Sequence, residues 1–502
     1  MMSTVSTFRD IGFVSAVLFG IVAFASISFG QETPPTPAAP RSVTIPKPIE
    51  KTLKNGLRVI VVESANMPLV TSALMVKSGG EVDPDQLSGI ADMTGDLLTK
   101  GTKTRTAPEI AEAIEALGGE LNSGASWDSS IVTVNVMSSK VNAAMEILAD
   151  VIRNPTFKDD EIERLREQNL DNLRVVQKQP GALAGLVAAR VVFGNEAYGH
   201  PLSGTLESIA AIKRDNILAL HAKYYRPDNA VLVFTGDIKV ADAFKLAERL
   251  FGDWANPSVS LPSILPQGTG GGIDAKPRVV VVDMPEAGQA AVVVARRGIK
   301  RADPEYFRGI VANSVLGGGY SARLNQEIRI KRGLSYGANS SLSARRAVGT
   351  FSASTQTKNE SGAEVASLIM SELKRLATEP IADSELTPRK AVLTGNFGRN
   401  LETTGGLATQ VANLALYGLG LDEINSYIKN VQAVSAVDVQ KFASTRIDAK
   451  GANIIVVGNA KVFLEDLRKQ FPNIDVIPLT ELDLNSATLR KAQARNIVRS
   501  MK

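Results

Sequence analysis

The spacing of hydrophobic and polar residues changes along the chain between a strand period and a helix period. Gly56 to Glu63 and Val70 to Lys77 are short apolar runs, separated by Pro68, and each predicts a strand. From Gly89 onward the apolar residues recur at helical spacing, which is typical of one buried helix face. The pattern therefore predicts two strands followed by a helix.

The same criteria predict the other elements of this part of the chain. Thr106 and Pro108 are typical of a helix start, and Gly118 with Gly119 of its end. Further strands are predicted at Ile131 to Met137 and Ala230 to Phe234, and helices at Val141 to Ile152, Asp159 to Val176, Asp215 to Tyr224 and Val240 to Phe251. The region thus combines strands and helices in one layered unit.

After a Gly- and Pro-rich stretch the order of elements repeats. The predicted elements there are the strands Arg278 to Val282 and Ala290 to Ala295 and the helix Pro304 to Leu316. The strand Gly349 to Thr355 corresponds to Ser130 to Val136, and Gly458 to Gly236, at offsets of about 220 residues. We therefore predict an α+β protein of two tandem homologous domains, each an antiparallel-rich sheet packed with helices.

The predicted organisation has six segments. They are a signal peptide at 1–30, a Pro-rich linker at 31–45, a first domain at 46–255, a Gly/Pro linker at 256–276, a second domain at 277–487 and a basic tail at 488–502. Arg9 followed by an apolar run from Ile11 to Gly30 that ends in small residues is typical of a cleaved export signal. A retained single-span anchor is the alternative, and no later run is apolar enough to span a membrane.

Composition restricts the chemistry. The 502 residues are 44% hydrophobic and 22% charged, as in a globular protein, and a net charge of +4 gives no reason to expect nucleic acid binding. The basic tail, which includes Arg490, is interpreted as a solvated helical tail. The absence of cysteine excludes disulfides, thiol catalysis and Cys-ligated zinc. Any catalytic histidine would have to be His200 or His221, the only two in the chain.

The stretch Gly89 to Thr102, GIADMTGDLLTKGT, read with the upstream NGLRVIVVE, resembles the first domain of the pitrilysin/insulinase family of zinc metallopeptidases, the inverzincins. In active members this helix carries His-x-x-Glu-His, and a later helix supplies a third ligand. The resemblance places these four positions on Asp92, Gly95, Asp96 and Asn172, and none matches. It therefore implies a degenerate zinc motif and no zinc in this chain.

The residue types support the same conclusion. Asp92 and Asp96 share a helical face, but Gly95 has no side chain to act as a base. We interpret the two aspartates as solvated residues lining a former active-site cleft, with a weak Ca²⁺ or Mg²⁺ site as the alternative. His200, in YGHPLSG, and His221, before YYRPDNAVLVFTGD, both resemble structural positions of the family.

A second motif lies in the second half. The segment GGGYSARLNQEIRIKRGLSY resembles the family's Arg/Tyr motif, and the matching residues are Arg329 and Tyr336. A guanidinium and a phenol can hold a substrate carbonyl and then its oxyanion. The alternative is an ordinary surface cation and a rim tyrosine. The preceding Gly317 to Gly319 predicts a tight helix–turn approach rather than a phosphate loop, because no Gly-Lys-Ser/Thr follows.

The resemblance implies a function for this combination. In the family a zinc half and an Arg/Tyr half meet as a clamshell around a peptide, in some members from two chains. We therefore expect an exported, periplasmic, non-catalytic subunit that donates Arg329 and Tyr336 to a zinc-bearing partner with His-x-x-Glu-His, with peptide substrates added as a strand along Leu121 to Ser130. The alternative is a structural or peptide-binding homologue with no catalytic contribution.

Overall fold

The computed structural model describes residues 45–262 and 276–491, which form two six-stranded sheets. The first contains β1 (Ile49–Thr52), β2 (Arg58–Glu63), β3 (Leu69–Val76), β4 (Glu120–Ala125), β5 (Ser130–Met137) and β6 (Ala230–Gly236). The second contains β7 (Val279–Asp283), β8 (Ala290–Arg297), β9 (Ser335–Ser343), β10 (Thr350–Thr357), β11 (Asn453–Gly458) and β12 (Ile474–Pro478). The α+β prediction is confirmed.

The strand orders show the duplication directly. The first sheet runs β1-β2-β6-β3-β5-β4 and the second β12-β7-β11-β8-β10-β9, so β2 to β6 correspond in order to β7 to β11. In the first sheet β6, which ends in Gly236, pairs in parallel with β2. In the second sheet β11, which ends in Gly458, pairs in parallel with β7. The outer strands differ, because β1 pairs antiparallel with β2 whereas β12 pairs in parallel with β7. Both sheets are therefore mixed, with antiparallel pairing towards β4 and β9.

Fifteen α-helices lie in the described ranges. They are α1 (Ile90–Leu97), α2 (Ala107–Glu115), α3 (Val141–Arg153), α4 (Asp159–Val176), α5 (Pro180–Phe193), α6 (Leu206–Ala211), α7 (Arg214–Tyr224), α8 (Val240–Phe251), α9 (Tyr306–Gly317), α10 (Gly362–Thr378), α11 (Asp383–Leu401), α12 (Thr404–Leu416), α13 (Glu423–Ala433), α14 (Ala436–Arg446) and α15 (Ala460–Gln470). Local signals fix several ends: Thr106 and Glu109 form a capping box at the start of α2, as Ser435 and Asp438 do for α14.

The two halves exchange helices. Helix α5 of the first half packs on the second sheet, where Leu183, Val187 and Phe193 join a core with strand residues such as Val282 and Val457. Helix α12 of the second half packs in turn on the first sheet. There the core contains Leu407, Val411 and Leu414 of α12 with Ile60, Val62, Ala73 and Val233 of the strands. Each sheet therefore has helices of its own half on one face and a helix of the other half on the opposite face.

The tips of the two edge hairpins also meet. The turn after β9 places Arg346 against the first half, where its guanidinium donates to a Glu81 carboxylate oxygen at 2.9 Å and to the Asp128 carbonyl at 2.9 Å. The Arg346 backbone N–H donates to the Asp128 carboxylate at 2.9 Å. Beside it, the Arg345 guanidinium lies 4.5 Å over the Trp127 ring. A buried polar junction thus joins the halves in addition to the exchanged helices.

Several predictions concern the chain ends. The predicted signal and anchor segment lies outside the described residues, and within the described ranges no helix is long and apolar enough to cross a bilayer. Arg490 is not a solvated tail residue, because its guanidinium pairs with Asp475 at 2.8 Å and with Glu481 at 3.0 Å. Leu489 beside it is buried. The start of the basic run therefore belongs to the fold, while 492–502 lie outside the described residues.

Candidate functional site

The helix that carries the degenerate motif is α1, and its start is held by a carboxylate. Gly89 adopts a φ of 92°, a left-handed conformation that favours glycine. The Asp83 carboxylate accepts the backbone N–H groups of Gly89 at 2.7 Å and Ala91 at 3.0 Å. Asp83 therefore caps α1, a contribution that the sequence reading missed although acidic residues are preferred near helix starts.

Gly95 lies directly against the edge strand β4. A Cβ atom built at position 95 would lie 2.7 Å from the carbonyl carbon of Gly124 and 2.8 Å from the backbone nitrogen of Ala125. Both obstacles are backbone atoms, so a side chain of any size requires the helix or the strand to move. The position that the resemblance assigns to the water-activating base has therefore no room for a side chain in this packing.

Asp92 and Asp96 are half-buried on α1 rather than solvated, which corrects the sequence interpretation. Burial and the neighbouring Asp96 charge raise the pKa of Asp92 from 3.8 to about 7. Burial also raises the pKa of Asp96, against the opposing effect of Lys100. Within the described ranges no three His, Asp or Glu side chains are grouped to hold a metal ion.

The fourth zinc position is an exposed amide. Asn172 lies on α4 next to Asp171, which forms an ion pair one turn along with Arg174. An asparagine at this position supplies an amide instead of the carboxylate that a zinc ligand of this kind requires. The four positions are thus a packed glycine, two half-buried aspartates and a surface amide.

Both histidines are engaged by the backbone. The two ring nitrogens of His200 lie 3.0 Å from the Pro201 carbonyl oxygen and 2.9 Å from that of Gly80, and burial lowers the pKa of the ring. His221 contacts the Ile152 carbonyl oxygen at 2.8 Å, and burial lowers its pKa to about 4. These contacts support the structural role predicted for both residues.

Arg329 and Tyr336 are brought together at the surface of the second half. Arg329 lies in a π-helical turn at Asn325–Ile330, and Tyr336 follows on the edge strand β9. The Arg329 guanidinium carbon lies 4.8 Å over the Tyr336 ring, and 90% of Tyr336 is exposed. Within the described part of the chain, neither side chain makes a hydrogen bond or an ion pair. The pair is therefore assembled but has no polar partner among the described residues.

A third aromatic residue, which the sequence reading missed, completes this cluster. The Tyr320 ring lies 4.9 Å from the Arg329 guanidinium carbon, and Tyr320 is 63% exposed. Nearby, buried Asn325 donates to the Tyr320 carbonyl oxygen at 2.5 Å and accepts the N–H of Ala338 on β9 at 3.2 Å. The signal available in the sequence was the aromatic residue directly after the Gly triplet.

The glycines before Tyr320 bring the end of α9 against the strand β9, whereas the sequence predicted a tight approach between a helix and a turn. A Cβ at Gly317 would lie 2.3 Å from the backbone nitrogen of Ser340, and one at Gly318 would lie 2.6 Å from the Ser314 Cα. This close approach positions the loop that carries Tyr320 beside the strand that carries Tyr336.

A cleft of about 590 Å³ adjoins Tyr336. It is lined by β8, β9 and β10 of the second half and by Gly181 at the start of α5. Gln356 on β10 lies close to Gly181. A Cβ built at position 181 would lie 2.9 Å from the side-chain amide carbon of Gln356. The cleft thus lies where the first half meets the second sheet beside the Arg/Tyr pair.

Besides burial, neighbouring charges shift the pKa values of the two aspartates. Asp96 raises the pKa of Asp92, and Lys100 lowers that of Asp96. The predicted strand-addition site corresponds to the edge strand β4, followed by the turn at 126–129. Because Gly95 packs on β4 from the helix side, this edge is braced by α1.

Comparisons of the chain with known proteins all indicate the same family. The family description "Insulinase (Peptidase family M16)" matches residues 58–206, and "Peptidase M16 inactive domain" matches residues 211–393. A protein of Rickettsia bellii named an uncharacterized zinc protease is 28% identical over 413 residues, which cover 81% of this chain and 96% of that protein. The uncharacterized zinc protease YmxG of Bacillus subtilis is 26% identical over 400 residues, covering 78% and 95%.

Solved structures show the same architecture. A peptidase M16 inactive domain from Pseudomonas fluorescens superposes with a TM-score of 0.75 at 25% identity, covering 82% of this chain and 98% of that one. A protease from Helicobacter pylori superposes with a TM-score of 0.76 at 21% identity, covering 82% and 100%. The latter supports the fold alone.

The fold and the altered motif define a two-domain homologue of a metallopeptidase. The chain belongs to the insulinase, or M16, peptidase family, which confirms the resemblance seen in its two motifs. The resemblance assigns the zinc and base positions of that family to Asp92, Gly95, Asp96 and Asn172 of this chain.

Proposed function

We propose that this protein is a non-catalytic subunit of a heterodimeric zinc metallopeptidase and that it donates Arg329 and Tyr336 to the active site of a zinc-bearing partner of the same family. The observation that carries the proposal is the contrast between its two motifs. The Arg/Tyr pair is assembled, with Tyr336 exposed, Arg329 half-buried and no polar partner among the described residues, whereas backbone packing closes the position of the base at Gly95.

The chemistry of the pair suits this role. The partner would supply zinc and the group that activates water. The Arg329 guanidinium and the Tyr336 hydroxyl are donors that would bind the carbonyl oxygen of the scissile peptide and the negative charge that develops on it. An arginine suits this position because its planar donors remain charged at any working pH.

The substrate would be an extended peptide. Main-chain pairing along a sheet edge gives affinity with little sequence preference. Each sheet ends in such an edge strand, β4 in the first half at the segment Leu121 to Ser130, and β9, which carries Tyr336, in the second. The apolar segment at 11–30 supports export of the subunit, and hence a periplasmic place of action, after cleavage of the signal.

The test is peptide hydrolysis by the native protein purified from its source, alone and with the chains that co-purify with it, using an internally quenched peptide. We expect no activity from the isolated chain and chelator-sensitive activity from the complex. Arg329→Ala in the complex should lower kcat/KM by about 10²- to 10³-fold, as loss of an oxyanion donor does. Tyr336→Phe should also lower it.

Arg332→Ala is the matched control, because this neighbouring arginine pairs with Glu327 and lies outside the Arg/Tyr cluster. If Arg329→Ala and Tyr336→Phe both leave the activity of the complex unchanged, the donated-residue proposal fails and a purely structural subunit is the better description. Hydrolysis by the isolated chain would contradict the proposal in a different way, because it would require a catalytic centre in this chain.

A further inference from the structure

Arg329 is flanked by two tyrosine rings, of which only Tyr336 belongs to the recognised motif. Its guanidinium carbon is 4.9 Å from the Tyr320 ring centroid and 4.8 Å from that of Tyr336. The two rings make no contact with each other among the aromatic pairs of the described residues, so each ring makes its own contact with the guanidinium. A cation over a ring face is attracted by that ring, and here two rings contribute.

This arrangement determines which part of the guanidinium remains available. A guanidinium that stacks on an aromatic face keeps its N–H donors in its own plane, where a ligand can reach them. Among the described residues, no acceptor forms a hydrogen bond with the N–H donors of Arg329. The edge of Arg329 is therefore the part that can contact an oxygen ligand, either a carboxylate or the carbonyl of a peptide bond.

A buried side chain, that of Asn325, fixes the backbone position of Tyr320. Asn325 is 3% exposed, and its side-chain amide joins the Tyr320 carbonyl to the N–H of Ala338, two residues after Tyr336 along β9. A buried amide that bonds to both segments holds the two tyrosines at a constant separation. Residues locked in this way keep a functional group in one geometry without reorganisation when a ligand arrives.

We infer that Tyr320 is a positioning residue, which orients the Arg329 guanidinium so that its edge faces an anionic oxygen. This inference rests on the proposed function for its consequence in catalysis, but the orientation itself is a property of this chain. Tyr320 is largely exposed, so its substitution removes little buried contact area and leaves the fold intact.

The first experiment needs no partner. The full-length chain is treated with phenylglyoxal, which modifies accessible guanidinium groups, and the modification rate of Arg329 is followed by peptide mass spectrometry. Tyr320→Ala should raise the rate about two- to fivefold, the factor that corresponds to loss of one exposed cation–π contact. Tyr320→Phe should keep the native rate because it retains the ring. Ile330→Ala, which removes an adjacent exposed apolar side chain, is the matched control, and Arg332 is the internal reference.

The second experiment uses the co-purified complex and peptide hydrolysis. Tyr320→Ala should lower kcat/KM about two- to fivefold or more, with rescue by Tyr320→Phe. In the Arg329→Ala background the same substitution should have no further effect, because a residue that acts only through Arg329 has nothing left to position.

The outcomes separate the two ideas. If Arg329→Ala has no effect on the complex, the proposed function fails, and the labelling rates still decide whether Tyr320 positions the guanidinium. If Arg329→Ala is damaging but Tyr320→Ala changes neither the labelling rate nor kcat/KM, the inference about Tyr320 is overturned and the proposed function stands. An equal loss from Tyr320→Ala with and without Arg329 also overturns it.

Discussion

Gly95 on α1 is in backbone contact with Gly124 on β4, and a Cβ at position 95 would lie 2.7 Å from the Gly124 carbonyl carbon. The corresponding helix of the second half uses the same arrangement, with Gly317 of α9 against the backbone of Ser340 on the edge strand β9. Glycine at position 95 is therefore a packing requirement of this helix–strand contact in addition to the loss of a base.

This contact gives the first prediction. Gly95→Ala should lower the free energy of unfolding by about 1–3 kcal/mol, because the new methyl group meets backbone that cannot turn aside. Urea unfolding of the purified chain measures it. Gly185→Ala is the matched control, since Gly185 lies inside α5 with nothing within 4 Å of its added Cβ. That substitution should be neutral or stabilising by about 0.5–1 kcal/mol.

A gain-of-function experiment extends this prediction. The triple substitution Asp92→His, Gly95→Glu and Asp96→His rebuilds the motif in sequence, yet we expect it to destabilise the chain and to give no peptidase activity. A glutamate at position 95 has to displace α1 from β4. Stable, chelator-sensitive hydrolysis by the triple variant would show that the helix moves more easily than its packing indicates.

The hairpin junction gives the second prediction. The Glu81 side chain is fully buried and pairs with Arg346 at 2.9 Å. Burial raises the pKa of Glu81 to about 8 against the opposing effect of Arg346, so the carboxyl takes up a proton when the arginine is removed. Arg346→Ala should therefore lower the free energy of unfolding by about 1–3 kcal/mol, the cost of the buried hydrogen bonds left unmade at the junction. Arg164→Ala, which removes an exposed ion pair within α4, should cost less than about 1 kcal/mol. If urea unfolding shows that Arg346→Ala and Arg164→Ala lower the free energy of unfolding by similar amounts, the junction contributes little to the stability of the chain.

The third prediction concerns pH. The folded chain holds a proton on Asp92 up to about pH 7, whereas the unfolded chain releases it near the ordinary pKa of 3.8. The folded state thus binds more protons between these values, and the contribution of Asp92 to stability falls as pH rises from about 4 to about 7. Allowing for its partial exposure, we expect a loss of roughly 1–2 kcal/mol.

Urea unfolding at pH 5, 6, 7 and 8 measures this slope. Asp92→Asn should make it shallower, because the amide does not titrate, while the buried Glu81 and Asp83, whose pKa values burial also raises, keep part of the slope. Asp242→Asn, on the exposed surface of α8, is the control that should leave the slope unchanged. A native profile that is flat, or that becomes more stable over this range, would contradict the raised pKa.

The fourth prediction follows from the exchanged helices. A protease site inserted after Gly271, in the Gly-rich linker, allows the chain to be cut between the halves. Because α5 and α12 each pack on the sheet of the other half, the two fragments should stay associated in size-exclusion chromatography and unfold in one transition. Val187→Asp, which places a charge in the α5 contact, should weaken the association. Separation of the unmodified fragments after cleavage would mean that the exchanged contacts are too weak to hold the halves.

Much of the fold could be predicted from local sequence. Asp159–Val176 and Val240–Phe251 are helices with the predicted bounds, and β5 alternates buried and half-buried residues as its pattern indicates. The duplication was visible in Gly236 and Gly458 because both end buried central strands. These features depend on short-range sterics and on one-sided burial, which leave a period in the sequence.

Two of the elements that escaped prediction did so for identifiable reasons. Helix α5 reads PGALAGLVAARVVF, and its apolar residues are not confined to one stripe, so its sequence has little helical period. Edge strand β4 reads ELNSGA and contains no β-branched residue. Helix α5 is fixed by burial against the sheet of the other half, which is a contact between distant parts of the chain. Strand β4 is fixed by pairing with β5.

The sequence by itself determined the family, the duplicated α+β architecture and the altered residues at the zinc positions, because these depend on residue identity and spacing. Only the tertiary structure decided that Gly95 is closed by β4, that Asp92 is half-buried, and that Tyr320 joins Arg329 and Tyr336. The first two depend on how α1 packs against β4 and the surrounding segments, and the third depends on the path of the chain from the end of α9 through the π-helical turn to β9. Packing of this kind leaves no local pattern in the residues.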